Sequence, residues 1–188
     1  MPKSQTEPAI PGLEFNVAQL LKEATGASRN YEVYVENASE LDEDLTIVSP
    51  LIGHVRLLRT GPNILVTGQL KAVIQKTCAR CLTSFTRLMK IELEEEYFPT
   101  LDIVTGTTII QPPEVEEANL IDEQHILDLF EVVRQELLLA SDSVLYCRPD
   151  CKGLCPHCGQ DRNLGACSCE DEVIDPRWAG LEALSTED

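Results

Sequence analysis

The chain has 188 residues, 43% of them hydrophobic, and carries 32 acidic against 15 basic residues for a formal net charge of −17. That length suffices for one ordinary domain plus a small appended module, and that apolar content excludes a disordered chain. Such a surface repels phosphate, and no run of Lys/Arg is interleaved with aromatics, which argues against autonomous non-specific binding of RNA or DNA; the charge serves solubility or, more sharply, a basic protein partner.

The opening residues MPKSQTEPAIPG contain no basic segment followed by an apolar one, so no signal peptide is visible. The apolar runs fall short of the roughly 20 residues a bilayer requires. The expected location is cytoplasmic, with no membrane partner. Thiols stay reduced there, so clustered cysteines point to metal or redox chemistry rather than to disulfides.

Residues 1–12 hold three prolines and are expected to form a loose arm. Asn16 to Ala24 predicts a short helix, with Asn16 as N-cap and Gly26 beyond its end. Tyr31 to Val35 alternates as a strand does. Leu45 to Val48 and His54 to Leu58 are separated by Ser49-Pro50, and Gly61-Pro62-Asn63 predicts a turn. From there Ile64, Val66, Leu70, Ala72 and Ile74 share one face, opposed by Thr67, Gln69, Lys71 and Gln75. After Cys78-Ala79-Arg80-Cys81 the alternation resumes with Phe85, Met89, Ile91, Leu93 and Tyr97. Two long alternating segments around a four-residue turn predict an antiparallel hairpin.

Residues 99–119 are expected to form a loop, with a short strand at Thr107 to Ile110. A helix is expected next, with Asp122 as N-cap and Ile126, Leu129, Phe130, Val133 and Leu137 as its buried stripe. Glu123 and Asp128 lie toward its start, which suits the helix dipole. From Tyr146 to Glu172 periodicity is lost, and the segment is too poor in apolar residues to build a core. Residues 177–184 (RWAGLEAL) predict one or two amphipathic turns before an acidic end. The fold expected is α+β: an antiparallel β-sheet with a long hairpin and packed helices over residues 1–145, then a Cys-rich zinc-binding module with an acidic tail over 146–188. Aromatics are sparse, so Leu, Ile and Val must supply the core.

The eight cysteines follow the pattern Cys78-x2-Cys81, then Cys147-x3-Cys151-x3-Cys155-x2-Cys158-x8-Cys167-x-Cys169. In Cys155-Pro156-His157-Cys158-Gly159 a tight turn sets two thiolates side by side, with backbone N–H groups able to donate to the sulfurs. Cys167 and Cys169 lie a loop-length away and complete a tetrahedral Zn²⁺ site. Cys78, Cys81, Cys147 and Cys151 could form a second four-thiol set, joining the hairpin turn to the end of the helix, although spacing alone does not fix the partners. An alternative grouping places the four cysteines from Cys147 to Cys158 around one ion and leaves Cys78 and Cys81 free. A thioredoxin-like site would put its Cys-x-x-Cys between strand and helix, whereas Cys78 and Cys81 fall between two strands. The spacing matches neither ferredoxin pattern. His157 is the best non-Cys ligand candidate, although its place inside the knuckle suggests an exposed side chain. His54 and His125 fit ordinary surface or core histidines. Phosphate-cradling loops, nucleophile elbows and H-E-x-x-H motifs are absent, so no enzymatic activity is expected.

At CARCLTSF (78–85), CKGLCPHCGQDRNLGACSC (151–169) and DPRWAGL (175–181) the chain resembles the YceD family, described as large ribosomal RNA subunit accumulation proteins. The resemblance covers the second half well and the first half only in its general run of helix and strands. It implies a bacterial or plastid-type accessory protein needed for accumulation of large-subunit (23S) ribosomal RNA and ribosome assembly, often encoded beside a ribosomal protein. The family's Cys-x-x-Cys falls on Cys78 and Cys81, and its C-terminal cluster on Cys151, Cys155, Cys158, Cys167 and Cys169. Leu139 to Ser143 departs from it in lacking an expected proline.

The leading functional expectation is a factor that acts through contacts with a basic ribosomal protein or assembly factor of the large subunit, touching rRNA only indirectly. The second is a direct RNA-binding zinc protein presenting Arg80, Arg87, Lys90, Arg148, Lys152 and Arg162 as a local basic patch. The third is a thiol redox sensor built on Cys78 and Cys81.

Overall fold

The computed structural model describes residues 12–42, 45–141 and 145–169, together with Arg177. Most of the arm expected over 1–12 and of the turns expected over 177–184 lies outside the described residues.

The fold is α+β. A five-stranded sheet runs in the order β2 (Ser28–Val35), β3 (Leu51–Arg59), β4 (Ile64–Thr77), β5 (Ser84–Pro99) and β6 (Leu120–Ile121). Its first three pairings are antiparallel and the last is parallel. A separate antiparallel pair joins β1 (Glu14–Asn16) to β7 (Ile126–Asp128). Among the described residues the α-helices are α1 (Ala18–Lys22) and α2 (Phe130–Ser141), and α2 packs on β5.

The long hairpin follows from period-two alternation. β4 and β5 pair from Ile64↔Tyr97 to Thr77↔Ser84. The inward residues Ile64, Val66, Leu70, Ala72 and Ile74 are all buried, as are Met89, Ile91, Leu93 and Tyr97 opposite them. One contiguous core joins these to Leu51, Val55 and Leu57 of β3, Leu20 and Leu21 of α1, and Val133 and Leu137 of α2. Each such side chain contributes about 1.5–3 kcal/mol by leaving water. Fourteen residues at about 3.3 Å each make β4 roughly 46 Å long, and Cys78 and Cys81 just beyond its far end belong to a small buried cluster separate from the main core. Gly53 and Gly68 permit the close approach of β3 and β4: a Cβ at Gly53 would lie 2.0 Å from the Gln69 carbonyl oxygen, and one at Gly68 2.6 Å from that of His54.

Near the N-terminus, Asn16 closes β1 instead of capping the helix: Val17 is the N-cap of α1, which is shorter than expected, and Asn16 Oδ1 accepts from the Ala18 N–H at 3.1 Å. The strand expected at Thr107 to Ile110 reduces to a single bridge, Leu101↔Thr108. Asp102 organises that loop: its Oδ1 accepts from the N–H groups of Val104 and Thr105 at 3.0 and 2.7 Å. Those donors hold the Asp102 carboxyl below its ordinary value.

The helix expected from Asp122 begins instead at Phe130. Asp122 does accept N–H bonds, from Gln124 at 2.9 Å and Ile126 at 2.7 Å, but these close a turn in which His125 has φ +59°. The chain then runs extended to pair Ile126 with Asn16 and Asp128 with Glu14. Asp128 takes over at the helix start, accepting from the Phe130 N–H at 2.9 Å. The later part of the stripe survives, with Leu129, Val133 and Leu137 buried. Arg134 on α2 donates to both carboxylate oxygens of Glu131 at 2.7 and 2.8 Å and to Asp42 at 2.7 Å. This clamp fastens the helix to the segment after β2. No described helix is long and apolar enough to cross a membrane.

Candidate metal centres

At the hairpin tip, Cys78 follows the last residue of β4, and its N–H bonds the Thr83 carbonyl at 3.0 Å. Leu82 takes φ +56° to finish the turn, and its N–H returns to the Cys78 carbonyl at 2.9 Å. The segment after α2 then folds back onto this knuckle. The Ala79 N–H donates to the Leu145 carbonyl at 3.0 Å, the Leu154 N–H to the Arg80 carbonyl at 3.1 Å, and Arg80 Nη1 to the Cys151 carbonyl at 3.0 Å. Gly153, at φ +70°, makes this docking possible, since a Cβ there would stand 3.0 Å from the Arg80 carbonyl oxygen.

The docking assembles Cys78, Cys81, Cys147 and Cys151 into one group whose sulfurs all lie within 4.8 Å of one another. Cys78 Sγ is 3.8 Å from Cys151 Sγ, and Cys81 Sγ is 3.7 Å from Cys147 Sγ. A tetrahedral ion with metal–sulfur bonds of ~2.3 Å requires edges of about 3.8 Å. The group draws two thiols from each side of residue 145.

The second group, Cys155, Cys158, Cys167 and Cys169, also lies within 4.8 Å. The Cys155 N–H bonds the Gln160 carbonyl at 2.8 Å, and the Gly159 N–H bonds the Cys155 carbonyl at 2.9 Å, with Gly159 at φ +72°. Both are among the groupings named from the sequence, the second from its spacing and the first only as one way to use the remaining four cysteines; the alternative set from Cys147 to Cys158 is not brought together. Either group can hold a metal ion. His157 is exposed and belongs to neither, and His54 lies exposed on β3.

Thiol electrostatics suit a cation. Burial pushes the Cys78 thiol up, but N–H donation from Cys147, Cys81 and Arg80 outweighs it and brings the group down to about 6. Cys147 is pushed up to about 12 by burial and by the neighbouring Cys151, Cys81 and Cys78 thiols. In the second group, the Cys158 and His157 N–H groups bring Cys155 down to about 6, while the adjacent Cys158 thiol and burial push Cys169 up to about 12. Each set thus stabilises some thiolates and resists accumulating more. A divalent cation removes that conflict by neutralising the crowded sulfurs.

A side chain that spacing arguments miss links the groups. Asn163, in the loop of the second, donates from Nδ2 to Cys151 Sγ at 3.4 Å and to Asp161 Oδ1 at 2.7 Å. Its Oδ1 accepts from the Lys152 N–H at 2.9 Å and Arg148 Nη2 at 2.7 Å. The only sequence signal is a small amide inside Asp161-Arg162-Asn163, which carries no metal-ligand pattern. Of the six basic residues expected to form a patch, Arg80, Arg148 and Arg162 contact the cysteine scaffold, and Arg87, Lys90 and Lys152 are exposed.

Residues 66–185 match the family described as large ribosomal RNA subunit accumulation protein YceD. An uncharacterized protein of Mycobacterium bovis is 32% identical over 149 residues, which is 79% of this chain and 64% of the relative. A Mycobacterium tuberculosis protein matches to the same extent. One from Mycobacterium leprae is 28% identical over 141 residues, or 74% of this chain and 61% of the relative. The chain therefore spans less than two thirds of the length of these relatives. No solved structure matches it. With well over half its length matched, including all eight cysteines, the chain belongs to the YceD family.

Proposed function

We propose that this YceD-family chain is a non-enzymatic accessory factor for large-subunit ribosomal RNA accumulation, acting by holding a basic ribosomal protein or assembly factor of that subunit. The family description supports the cellular role. The observation that carries the mode of action is a groove of about 540 Å³ between β5, the 112–119 segment and α2. Glu95, Glu96, Glu114, Glu116 and Glu136 line it with the apolar Phe98, Val115 and Val132, and among the described residues no Lys or Arg lines it. Carboxylates among apolar side chains suit a basic, partly apolar segment: charge steers the encounter, and the apolar side chains supply buried area.

Zinc is the proposed ion in both cysteine groups, because closed sets of four thiolates are its usual structural environment. Bound in the first group, it would cross-link the hairpin tip to the segment after α2; in the second, it would close the loop from Cys155 to Cys169. Its role would be to hold shape.

A pull-down with basic large-subunit proteins tests the reading. Capture that weakens as salt rises and is lost in a Glu95→Lys/Glu136→Lys variant is expected. Unaltered large-subunit RNA in a deletion strain would overturn the cellular role, and salt-insensitive capture would overturn the charge-based mode.

A further inference from the structure

The charge of this chain is segregated along its sequence. Residues 45–91 contain seven of its 15 basic residues and none of its 32 acidic ones. That run comprises β3, β4, the cysteine knuckle and the first half of β5, and its far end meets the segment after α2 at a second groove, of about 500 Å³. Phe85 and Arg87 of β5 stand on one side, with Tyr146, Arg148 and Pro149 on the other, and among the described residues no carboxylate lines the groove. Arg80 lies over the Tyr146 ring at 4.2 Å, which fixes the ring's orientation. Arg148 is held by Asn163 at 2.7 Å, and its Nε lies 3.5 Å from the exposed Asp150 carboxylate. Two aromatic rings beside guanidinium groups, in a space large enough for a nucleobase, are the parts of a single-strand platform: a ring stacks the base while cations take the phosphates.

We infer that the groove between Phe85, Arg87, Tyr146 and Arg148 binds a short single-stranded RNA segment. The geometry and local charge carry the site. The choice of RNA rests on the proposed cellular role. The protein would then have two faces of opposite charge, with the carboxylate groove around Glu95 and Glu136 facing a basic protein and the cysteine-built tip facing RNA. The whole-chain charge explains why binding is confined to this tip, where phosphate escapes the repulsion of the acidic body.

The test is fluorescence anisotropy with a labelled 12-nucleotide single-stranded RNA and the full-length, zinc-loaded chain across a salt series. Binding that weakens with salt is expected, as is a loss of about 10-fold or more in Tyr146→Ala/Arg87→Ala, with Tyr146→Phe retaining affinity. Metal content and melting temperature are measured on each variant, and Arg87→Gln on β5 serves if the double variant loses metal. Absence of binding at low salt, or equal binding by the Arg87 variants, overturns the inference. Equal displacement of the RNA by a Glu-rich peptide overturns it in favour of an acidic protein segment. Capture of the basic partner by Tyr146→Ala/Arg87→Ala stays intact if only this inference fails, which separates its failure from that of the proposed function.

Discussion

The two cysteine groups share a stoichiometry and differ in almost everything else. In the first, Cys78, Cys81 and Cys151 are at most 6% exposed, and the ligands come from a strand turn and a segment 66 or more residues away. In the second, all four cysteines lie between Cys155 and Cys169, and Cys158 is exposed. The first group is a joint between distant parts of the chain. The second is a local loop that closes on itself. Burial and loop length therefore assign different consequences to losing each one, because an ion that closes a long loop removes more unfolded-chain entropy than one that closes a short loop.

The sharpest break of this contrast is Cys78→Ser/Cys81→Ser. Zinc per chain should fall from two to one, and amide exchange should accelerate at the hairpin tip and across 145–153 together, because those segments are held to each other there. Loss of both ions would show that the groups are not separable. Cys158→Ser should also remove one ion, but with faster exchange confined to 155–169. With the unaltered chain, a chelator should extract metal in two phases, the exposed group first; a single phase would erase the distinction.

Smaller effects sharpen the picture. Asn163→Ala removes the bridge between the groups, with its bonds to the Lys152 N–H and Cys151 Sγ. It should cost about 1–2 kcal/mol in denaturant unfolding while both ions remain. Smallest is Arg134→Ala, which should cost about 1 kcal/mol without altering metal content, since the clamp to Glu131 and Asp42 lies in the sheet-and-helix body. Donation from Arg134 holds the Glu131 carboxyl below its ordinary value. Its share of stability is therefore fully present above the ordinary carboxylate range and is lost as pH falls through the lowered value. A pH series on Arg134→Ala should show that share missing.

The hairpin was legible in the chain because Ile64 to Ile74 and Met89 to Tyr97 state their faces by alternation alone. The start of α2 was not. Asp122 and the stripe from Ile126 onward satisfy every local rule for a helix, and what overrides them is a strand partner, Glu14–Asn16, more than a hundred residues earlier. Local signals cannot report a pairing whose other half is so remote. The cysteines divide in the same way. Cys155, Cys158, Cys167 and Cys169 announce their grouping by spacing, whereas Cys78 and Cys81 meet Cys147 and Cys151 only because the hairpin carries them to the end of α2. Asn163 was invisible, since a hydrogen bond to a distant thiol leaves no periodic trace. The acid-free run over 45–91 stands openly in the sequence, but acquires meaning only when Tyr146 and Arg148 arrive beside it.

The reach of the β4–β5 hairpin also sets a schedule. Its strands are neighbours in sequence, so they can pair early, and the knuckle then presents two thiols before their partners have been made. Cys147 lies 66 residues after Cys81, and at synthesis rates of roughly 5–20 residues per second the nascent knuckle waits about 3–13 s for it. During that interval the two sulfurs are a half-finished ligand set on a moving ribosome, open to an oxidant or a stray ion. The place where distant parts of the finished fold meet is thus exposed while the chain is being born.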